Sequence, residues 1–110
     1  MLSKPNRLTR GSDYKTVVRR GSRCAGAHTV THLVSRPEGT PVRFGFIVSK
    51  QVGNAVVRNT VRRRLKAVCA DALTGVRPGT DVVIRALPSS AAADYSQLRD
   101  DVRRCLRRAA

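Results

Sequence analysis

Val48-Ser49-Lys50-Gln51-Val52-Gly53-Asn54-Ala55-Val56-Val57-Arg58-Asn59-Thr60-Val61-Arg62-Arg63-Arg64-Leu65-Lys66 is the stretch that decides how this chain folds. It begins as the end of a strand, turns through Gly53 and Asn54, and enters a helix. At about 100° per residue, Val57, Val61, Leu65, Val68 and Ala72 fall within roughly an 80° arc, an apolar stripe at helical period. Arg58, Asn59, Arg62, Arg63 and Lys66 are expected on the opposite side. Between Arg58 and Lys66 there are five cations and no acid. Like charges at i,i+4 cost a helix about 0.2–0.5 kcal/mol per pair, so helix stability does not explain the pattern. A polyanion would neutralise it.

The composition points to the same partner. The 110 residues hold 22 Lys plus Arg against 7 Asp plus Glu, a formal net charge of +15. Five of the seven acids lie at Asp71 or later, so the first two thirds are almost purely cationic. Such a balance says nothing of fold but favours nucleic acid or an anionic membrane surface. Most of the cations are arginine, whose planar fork binds phosphate bidentately and stacks on bases.

The length predicts one domain spanning residues 1–110, with a core that needs no staples. Cys24, Cys69 and Cys105 are odd in number and widely spaced, with no CxxC pair. They are expected as buried small hydrophobes or free thiols in a reducing compartment, not as a disulfide frame or zinc site. Met1-Leu2-Ser3-Lys4-Pro5 leads into charge, and no window approaches 18 apolar residues. Neither a signal peptide nor a membrane span is expected, and the location predicted is cytoplasmic.

Outward from the basic helix, Ser12 is placed to cap a short helix through Arg20, with Gly21 ending it. Cys24 to Ser35, rich in Thr and Val, predicts one or two strands. Pro37-Glu38-Gly39-Thr40-Pro41 is a turn, and Val42 to Ser49 a strand with Val42, Phe44, Phe46 and Val48 facing one way. The basic helix runs from about Asn54 to Leu73 and closes at Gly75 to Gly79. Thr80 to Ala86 is an interior strand around Val82-Val83-Ile84. After a loop from Pro88 to Ala93, Asp94-Tyr95-Ser96-Gln97 has capping-box spacing. It opens a helix to about Arg108, with Tyr95, Leu98, Val102, Cys105 and Leu106 inward. Asp100 and Arg104 are expected to pair on its outer side. The order αβββαβα predicts an α+β protein: an α-β sandwich with one central sheet of about four strands and three helices.

Few side chains could carry catalysis. His28 and His32 are four apart, which on a strand spans roughly 13 Å. One metal cannot bridge that distance; both would lie on the strand face of Val30 and Val34. Two-metal phosphodiester hydrolysis needs clustered carboxylates, yet the cationic part holds only Asp13 and Glu38, and Asp100 and Asp101 sit beside arginines on an expected solvated side. No Walker loop, GxSxG or HExxH occurs. No catalytic or metal-binding residue is predicted. Aromatic content is 4%, too low for an interleaved stacking platform. Phe44, Phe46 and Tyr95 are expected in the core, while Tyr14 lies on a short basic helix.

The run Arg43-Phe44-Gly45-Phe46-Ile47-Val48-Ser49-Lys50, then Val52-Gly53-Asn54-Ala55-Val56-Val57-Arg58-Asn59 and Arg62-Arg63, closely resembles the bacterial ribonuclease P protein family. The likeness extends to Asn6-Arg7-Leu8, Asp13-Tyr14-Lys15, Gly21, Asp81-Val82-Val83-Ile84 and the terminal helix with Tyr95, covering essentially the whole chain in order. The resemblance implies the small partner of a catalytic RNA that removes the 5′ leader from precursor tRNA by phosphodiester hydrolysis. It implies that the RNA holds the magnesium ions and the chemistry, that the protein binds no cofactor and is inactive alone, and that fixed positive charge lowers the magnesium requirement. It also implies a fold like the second domain of a small-subunit ribosomal protein, with a left-handed βαβ crossover, against the right-handed rule obeyed in about 98% of cases.

Carried over by position, the resemblance makes Arg58, Asn59, Arg62, Arg63 and Lys66 the face that binds catalytic RNA. Lys50 and Asn54 sit at the turn feeding it, where helix N–H groups favour phosphate. The leader cleft between the first helix and the sheet would take Tyr14, Val18 and His32, with Ser49 and Lys50 at its end. Thr60 stands where the family often carries a cation, partly offset by Arg64, which is expected nearer the apolar stripe. Val18 and His32 stand where relatives often have aromatics, so base stacking should be weaker. Other functions for such a chain are a non-catalytic RNA-binding module, a peripheral membrane binder and a self-sufficient nuclease. The amphipathic helix lacks the Trp or Phe that membrane insertion needs, and no membrane partner is predicted.

Overall fold

A computed structural model describes residues 2–36 and 40–108. Helix α1 (Gly11–Arg20) leads to strands β1 (Ser22–Ala25), β2 (Thr29–Ser35) and β3 (Arg43–Ile47), followed by α2 (Ala55–Ala72), β4 (Thr80–Ala86) and α3 (Tyr95–Arg108). The order αβββαβα and the single four-stranded sheet are as expected. Residues 37–39 of the expected 37–41 turn lie outside the described residues.

Strand β4 is central, as its Val82-Val83-Ile84 run requires, since a strand covered on both faces cannot alternate with polar residues. The sheet order is β1-β2-β4-β3. Strands β1 and β2 form a hairpin, β2 runs antiparallel to β4, and β3 runs parallel to β4. Parallel neighbours need a crossover, and α2 supplies it. The free edge of β3 is partly closed by the N-terminal segment, where the Leu8 amide donates to the Phe44 carbonyl (2.8 Å) and the Asn6 side chain to the Val42 carbonyl (2.8 Å).

Two layers of helix follow from the strand alternation. Leu33, Phe44, Val82, Ile84 and Ala86 face α2 and α3 and pack with Val61, Leu65, Val68, Leu98 and Val102 in the main core. On the other face Val83 packs with Val17 of α1 and Leu8, flanked by Tyr14, Val34 and Ile47. Burying a Val or Leu side chain contributes about 1.5–3 kcal/mol each, so the α2 stripe alone anchors the basic helix to the sheet.

Four local expectations are corrected. Arg10, not Ser12, occupies the N-cap of α1 and makes no side-chain cap, while the Ser12 carbonyl accepts from the Thr16 hydroxyl inside the helix. Asp100 pairs with its neighbour Arg99, and Arg104 reaches Asp101 (3.6 Å) and the Ala25 carbonyl instead. Asp101 is not on a solvated side: it is buried, and its carboxylate accepts from the backbone amides of Ala27, His28 and Thr29 and from the Thr29 hydroxyl (2.7–3.1 Å). A turn across the chain, invisible to helical periodicity, demands that acceptor. Finally, Cys24 and Cys105 are joined in a disulfide, with only Cys69 free. Sequence spacing cannot show that the β1 edge lies against the end of α3. Burial pushes the Cys69 thiol far up, leaving it inert.

The capping box is present in both directions: the Gln97 amide donates to Asp94 Oδ1 (2.9 Å) and the Asp94 amide to Gln97 Oε1 (3.0 Å). Phe44 is fully buried, Phe46 packs at the core margin, and Tyr95 is half-buried with its hydroxyl on Asp71 (2.8 Å).

Candidate nucleic-acid interface

The basic helix is launched by a tight turn. Gly53 has φ of 158°, and a Cβ there would come within 2.9 Å of the Val57 side chain. Asn54 then caps α2, its side-chain oxygen accepting from the Val57 amide (3.0 Å). The cap is satisfied by the side chain, so the remaining first-turn N–H groups face outward with the positive end of the helix dipole.

Along α2, Val61, Leu65, Val68 and Cys69 are buried, while Asn59, Arg63 and Lys66 are exposed. Arg62 is half-buried and donates to Asn59 Oδ1 (2.9 Å), which fixes its guanidinium on the outer surface. Arg58 departs from the expected opposite side: it is half-buried, and its enclosed Nε has no hydrogen-bond partner among the described residues. Arg64 turns inward and donates to the Ala93 carbonyl (2.8 Å), so it cannot replace the cation missing at Thr60. The exposed face thus reduces to Asn59, Arg62, Arg63 and Lys66, lining a shallow depression with Ala67, Ala70 and Asp71.

A second surface lies on the opposite side of the sheet, beneath α1. Tyr14 covers Gly45 so closely that a Cβ there would sit 2.5 Å from the ring. Its hydroxyl accepts from the Phe46 amide (3.2 Å) and donates to the Leu8 carbonyl (3.3 Å). Beside it a hollow of about 210 Å³ is lined by Tyr14, Lys15, Val18, Arg19 and Ile47. Val18 is 38% exposed there, an apolar side chain left open at the rim. Ser49 and Lys50, both exposed, follow two and three residues after Ile47 and lead to Asn54. The hollow and the basic helix are therefore linked by one short turn.

His32 occupies the floor rather than the open part. Directly paired residues share a sheet face, and the pairs Arg23↔His32, His32↔Val83 and Val83↔Gly45 put it in one row with the glycine under Tyr14. It is only 4% exposed, and neither ring nitrogen has a partner among the described residues. Burial, then the nearby charges of Arg85 and Arg23, hold its pKa below the ordinary imidazole value, so the ring is neutral at pH 7. His28 is not on this face at all: it stands in the β1–β2 turn with Nδ1 3.0 Å from the Ser89 hydroxyl.

Arg85 and Arg23 are cleft residues that sequence reasoning missed. Arg85 pairs in register with Val30 and Ile47, which places it on the α1 face, exposed, next to the hollow. Its signal was the alternation of β4, in which Asp81, Val83 and Arg85 share a face; an unpaired arginine ending an apolar run is worth noticing. Lys15 and Arg19 of α1 complete a cationic rim.

The acids are engaged elsewhere. Glu38 lies outside the described residues; each of the other six carboxylates has a structural partner. Asp81 is buried under a bidentate Arg43 (2.7 and 2.9 Å) and Arg36 (3.2 Å), and Asp13 also meets Arg43 (3.5 Å). Asp71 holds Tyr95, Asp94 caps α3, Asp100 pairs with Arg99, and Asp101 fills the β1–β2 turn. Among the described residues no three His, Cys, Asp or Glu side chains are grouped to hold a metal ion. No helix there is long and apolar enough to cross a membrane.

An arginine-rich helix with no acid before Asp71, joined to a cation-rimmed cleft on an α+β sandwich, defines a small RNA-binding protein. The comparisons with known proteins agree. The family model described as Ribonuclease P matches residues 2–110. The ribonuclease P protein component of Clavibacter michiganensis is 48% identical over 109 residues, covering 99% of this chain and 96% of that one. That of Streptomyces bikiniensis is 45% identical, covering 98% and 94%. Among solved structures, the RNase P protein of Staphylococcus aureus superposes with a TM-score of 0.86 at 23% identity over 96% of both chains, and that of Thermotoga maritima with 0.82 at 19% over 93% and 96%. The chain belongs to the ribonuclease P protein family. Its role is accordingly in the 5′ processing of tRNA, with an RNA subunit as partner.

Proposed function

We propose that this chain, as a single domain, is the non-catalytic protein of a cytoplasmic ribonucleoprotein, and that the RNA carries the hydrolysis of precursor tRNA. The observation that carries this reading is the division of charge: exposed Asn59, Arg63 and Lys66 and half-buried Arg62 have no acid partner among the described residues, while every described carboxylate is spent on structure. Such a surface binds phosphate and has no group to activate water. The carboxylate set does not fit a magnesium site, so magnesium is assigned to the RNA, where it supplies the Lewis acid of phosphodiester hydrolysis. The protein contributes fixed positive charge that does part of the ions' electrostatic work.

Lys50, Asn54, Arg58, Asn59, Arg62, Arg63 and Lys66 are assigned to the catalytic RNA, with Arg58 supporting from a half-buried position. Tyr14, Val18, Ser49 and Lys50 are assigned to the single-stranded leader, with His32 as floor and Arg85 as a further cation. Only Tyr14 offers an aromatic ring, so backbone charge outweighs stacking in this cleft.

The test is precursor-tRNA cleavage at low magnesium by the cognate catalytic RNA, with and without the protein, beside a protein-only control. Restored cleavage with an inert protein-only lane is the expected result. Tight RNA binding without any gain in cleavage would instead make this a general RNA-binding module, and cleavage by the protein alone would return the chemistry to the chain.

A further inference from the structure

The basic surface does not end with α2. Where the chain leaves that helix through the 3₁₀ turn Leu73–Gly75, it forms one wall of a groove whose other wall is the C-terminal half of α3. Two adjoining cavities of about 350 and 260 Å³ share Gly75, Val76 and Leu106, and run from Asp71 to the β1–β2 end of the sheet at Ser22 and Ser35. Four arginines from three separate parts of the chain border them: Arg20 at the end of α1, Arg77 in the loop before β4, and Arg103 and Arg107 on α3. None of the four guanidinium groups has a hydrogen bond or ion pair among the described residues; Arg77 is held only through its backbone carbonyl, which accepts from the Thr80 hydroxyl (2.7 Å). The one acid in the groove, Asp71, accepts from the Tyr95 hydroxyl.

Cations in a last helical turn are often explained by the helix dipole, an effect of about 0.3–1 kcal/mol. That explains Arg107 and Arg20, which lie in last turns, but not Arg77 in a loop or Arg103 in mid-helix. Convergence of four like charges on one groove is unfavourable for the isolated protein and favourable only with an anion present. Apart from Asp71, the rest of the lining is aliphatic (Leu33, Val34, Val76 and Leu106), small or hydroxylic, with no aromatic ring to stack a base and no amide side chain to read one. That combination suits a sugar-phosphate backbone, not a base sequence.

We propose that this groove is a second phosphodiester-binding surface, in which Arg20, Arg77, Arg103 and Arg107 hold a backbone segment of the partner RNA. It meets the depression on α2 at Asp71, which borders both. One RNA path thus runs across the two-helix layer, from the turn at Asn54 to the sheet edge. The proposal rests on the RNA-binding reading above and extends the footprint to a face that reading does not use.

The experiment is equilibrium binding of the full-length protein to its cognate ribonuclease P RNA at a series of salt concentrations. Each phosphate contact on single-stranded nucleic acid contributes about 0.7 to the slope of log K against log salt, and about 0.9 on a duplex. Arg77→Gln with Arg103→Gln and Arg107→Gln should lower that slope by roughly 2 without moving the thermal unfolding midpoint. Arg77→Lys with Arg103→Lys and Arg107→Lys, which keeps the charge, should retain most of the slope. An unchanged slope in the glutamine variant, with Arg62→Ala still lowering it, overturns the groove and leaves the function intact. Unchanged slopes in both overturn the groove and the RNA-binding reading together. A glutamine variant that unfolds while the lysine variant stays folded but loses the slope also counts against the groove, since retained charge would then not suffice.

Discussion

Asp101 shows how far a single residue can matter when it serves another part of the chain. Burial by itself pushes its carboxyl up, but the Thr29 hydroxyl and the backbone amides of His28, Ala27 and Thr29 outweigh burial and hold its pKa below the ordinary range. A depressed folded value means that its stabilisation is complete above the unfolded value of about 3.9 and is lost as pH falls through the folded one. His32 acts in the same direction at higher pH: buried and neutral, it stabilises fully above about 6.5 and loses that contribution as pH falls toward its lowered value. Urea midpoints followed from pH 7.5 to 2.5 should therefore decline in two stages. His32→Gln should remove the upper stage and Asp101→Asn the lower; an acid limb unchanged in both variants would refute the assignment. At pH 7, Asp101→Ala should cost about 2–3 kcal/mol, because it leaves buried donors unsatisfied. At the cleft, Tyr14→Ala should weaken precursor tRNA more than mature tRNA in competitive binding, and equal losses would point to a folding defect in place of a leader contact. Tyr14 was visible in the sequence as an aromatic on a basic helix. Asp101 was not, because the need it meets lies in the turn at 27–29.

Among the elements, α2 was the most legible, since its sequence carries a cap, a stripe and a charge pattern that agree with one another. Asn54→Ala should destabilise by about 1 kcal/mol through loss of the Val57 amide's partner, read as a shift in chemical denaturation. Arg62→Ala and Arg63→Ala should each reduce the salt dependence of catalytic-RNA binding by about 0.7–0.9 in slope; two unchanged slopes would remove this helix from the interface. The bounds of β4 and α3 were also legible, the first from its unbroken apolar run and the second from Asp94 and Gln97. Helix α1 was less so. It is short, opens at Arg10 with no side-chain cap, and is held by tertiary contacts of Val17 and Tyr14 that no local pattern encodes. Side-chain direction on α2 was the other partial failure. Arg58 is long enough to bend from the expected side toward half-buried ground, which a wheel of Cβ positions does not register, whereas Arg64 lies inward as its place near the apolar stripe implies.

On the scale of the molecule, the strand order was not legible: pairing between distant segments leaves no periodic trace, and only the resemblance indicated how the pieces would assemble. The same holds for the disulfide, which joins residues separated by 81 positions. On the chain-entropy account, closing a loop of that size stabilises by about 4.5 kcal/mol. Reduction should therefore lower the urea midpoint, and Cys24→Ala with Cys105→Ala should reproduce the reduced protein; equal midpoints with and without reductant would show that the bond contributes nothing. The reach of Asp101 has a further consequence, for the chain as it is made. The β1–β2 hairpin is synthesised well before the carboxylate that satisfies its turn, which follows Thr29 by 72 residues. Until α3 has left the ribosome and docked, the amides at 27–29 have only water for a partner, and the hairpin stays provisional. Completion of this hairpin thus waits on α3, and a message truncated before residue 101 would yield a product with the hairpin unsecured.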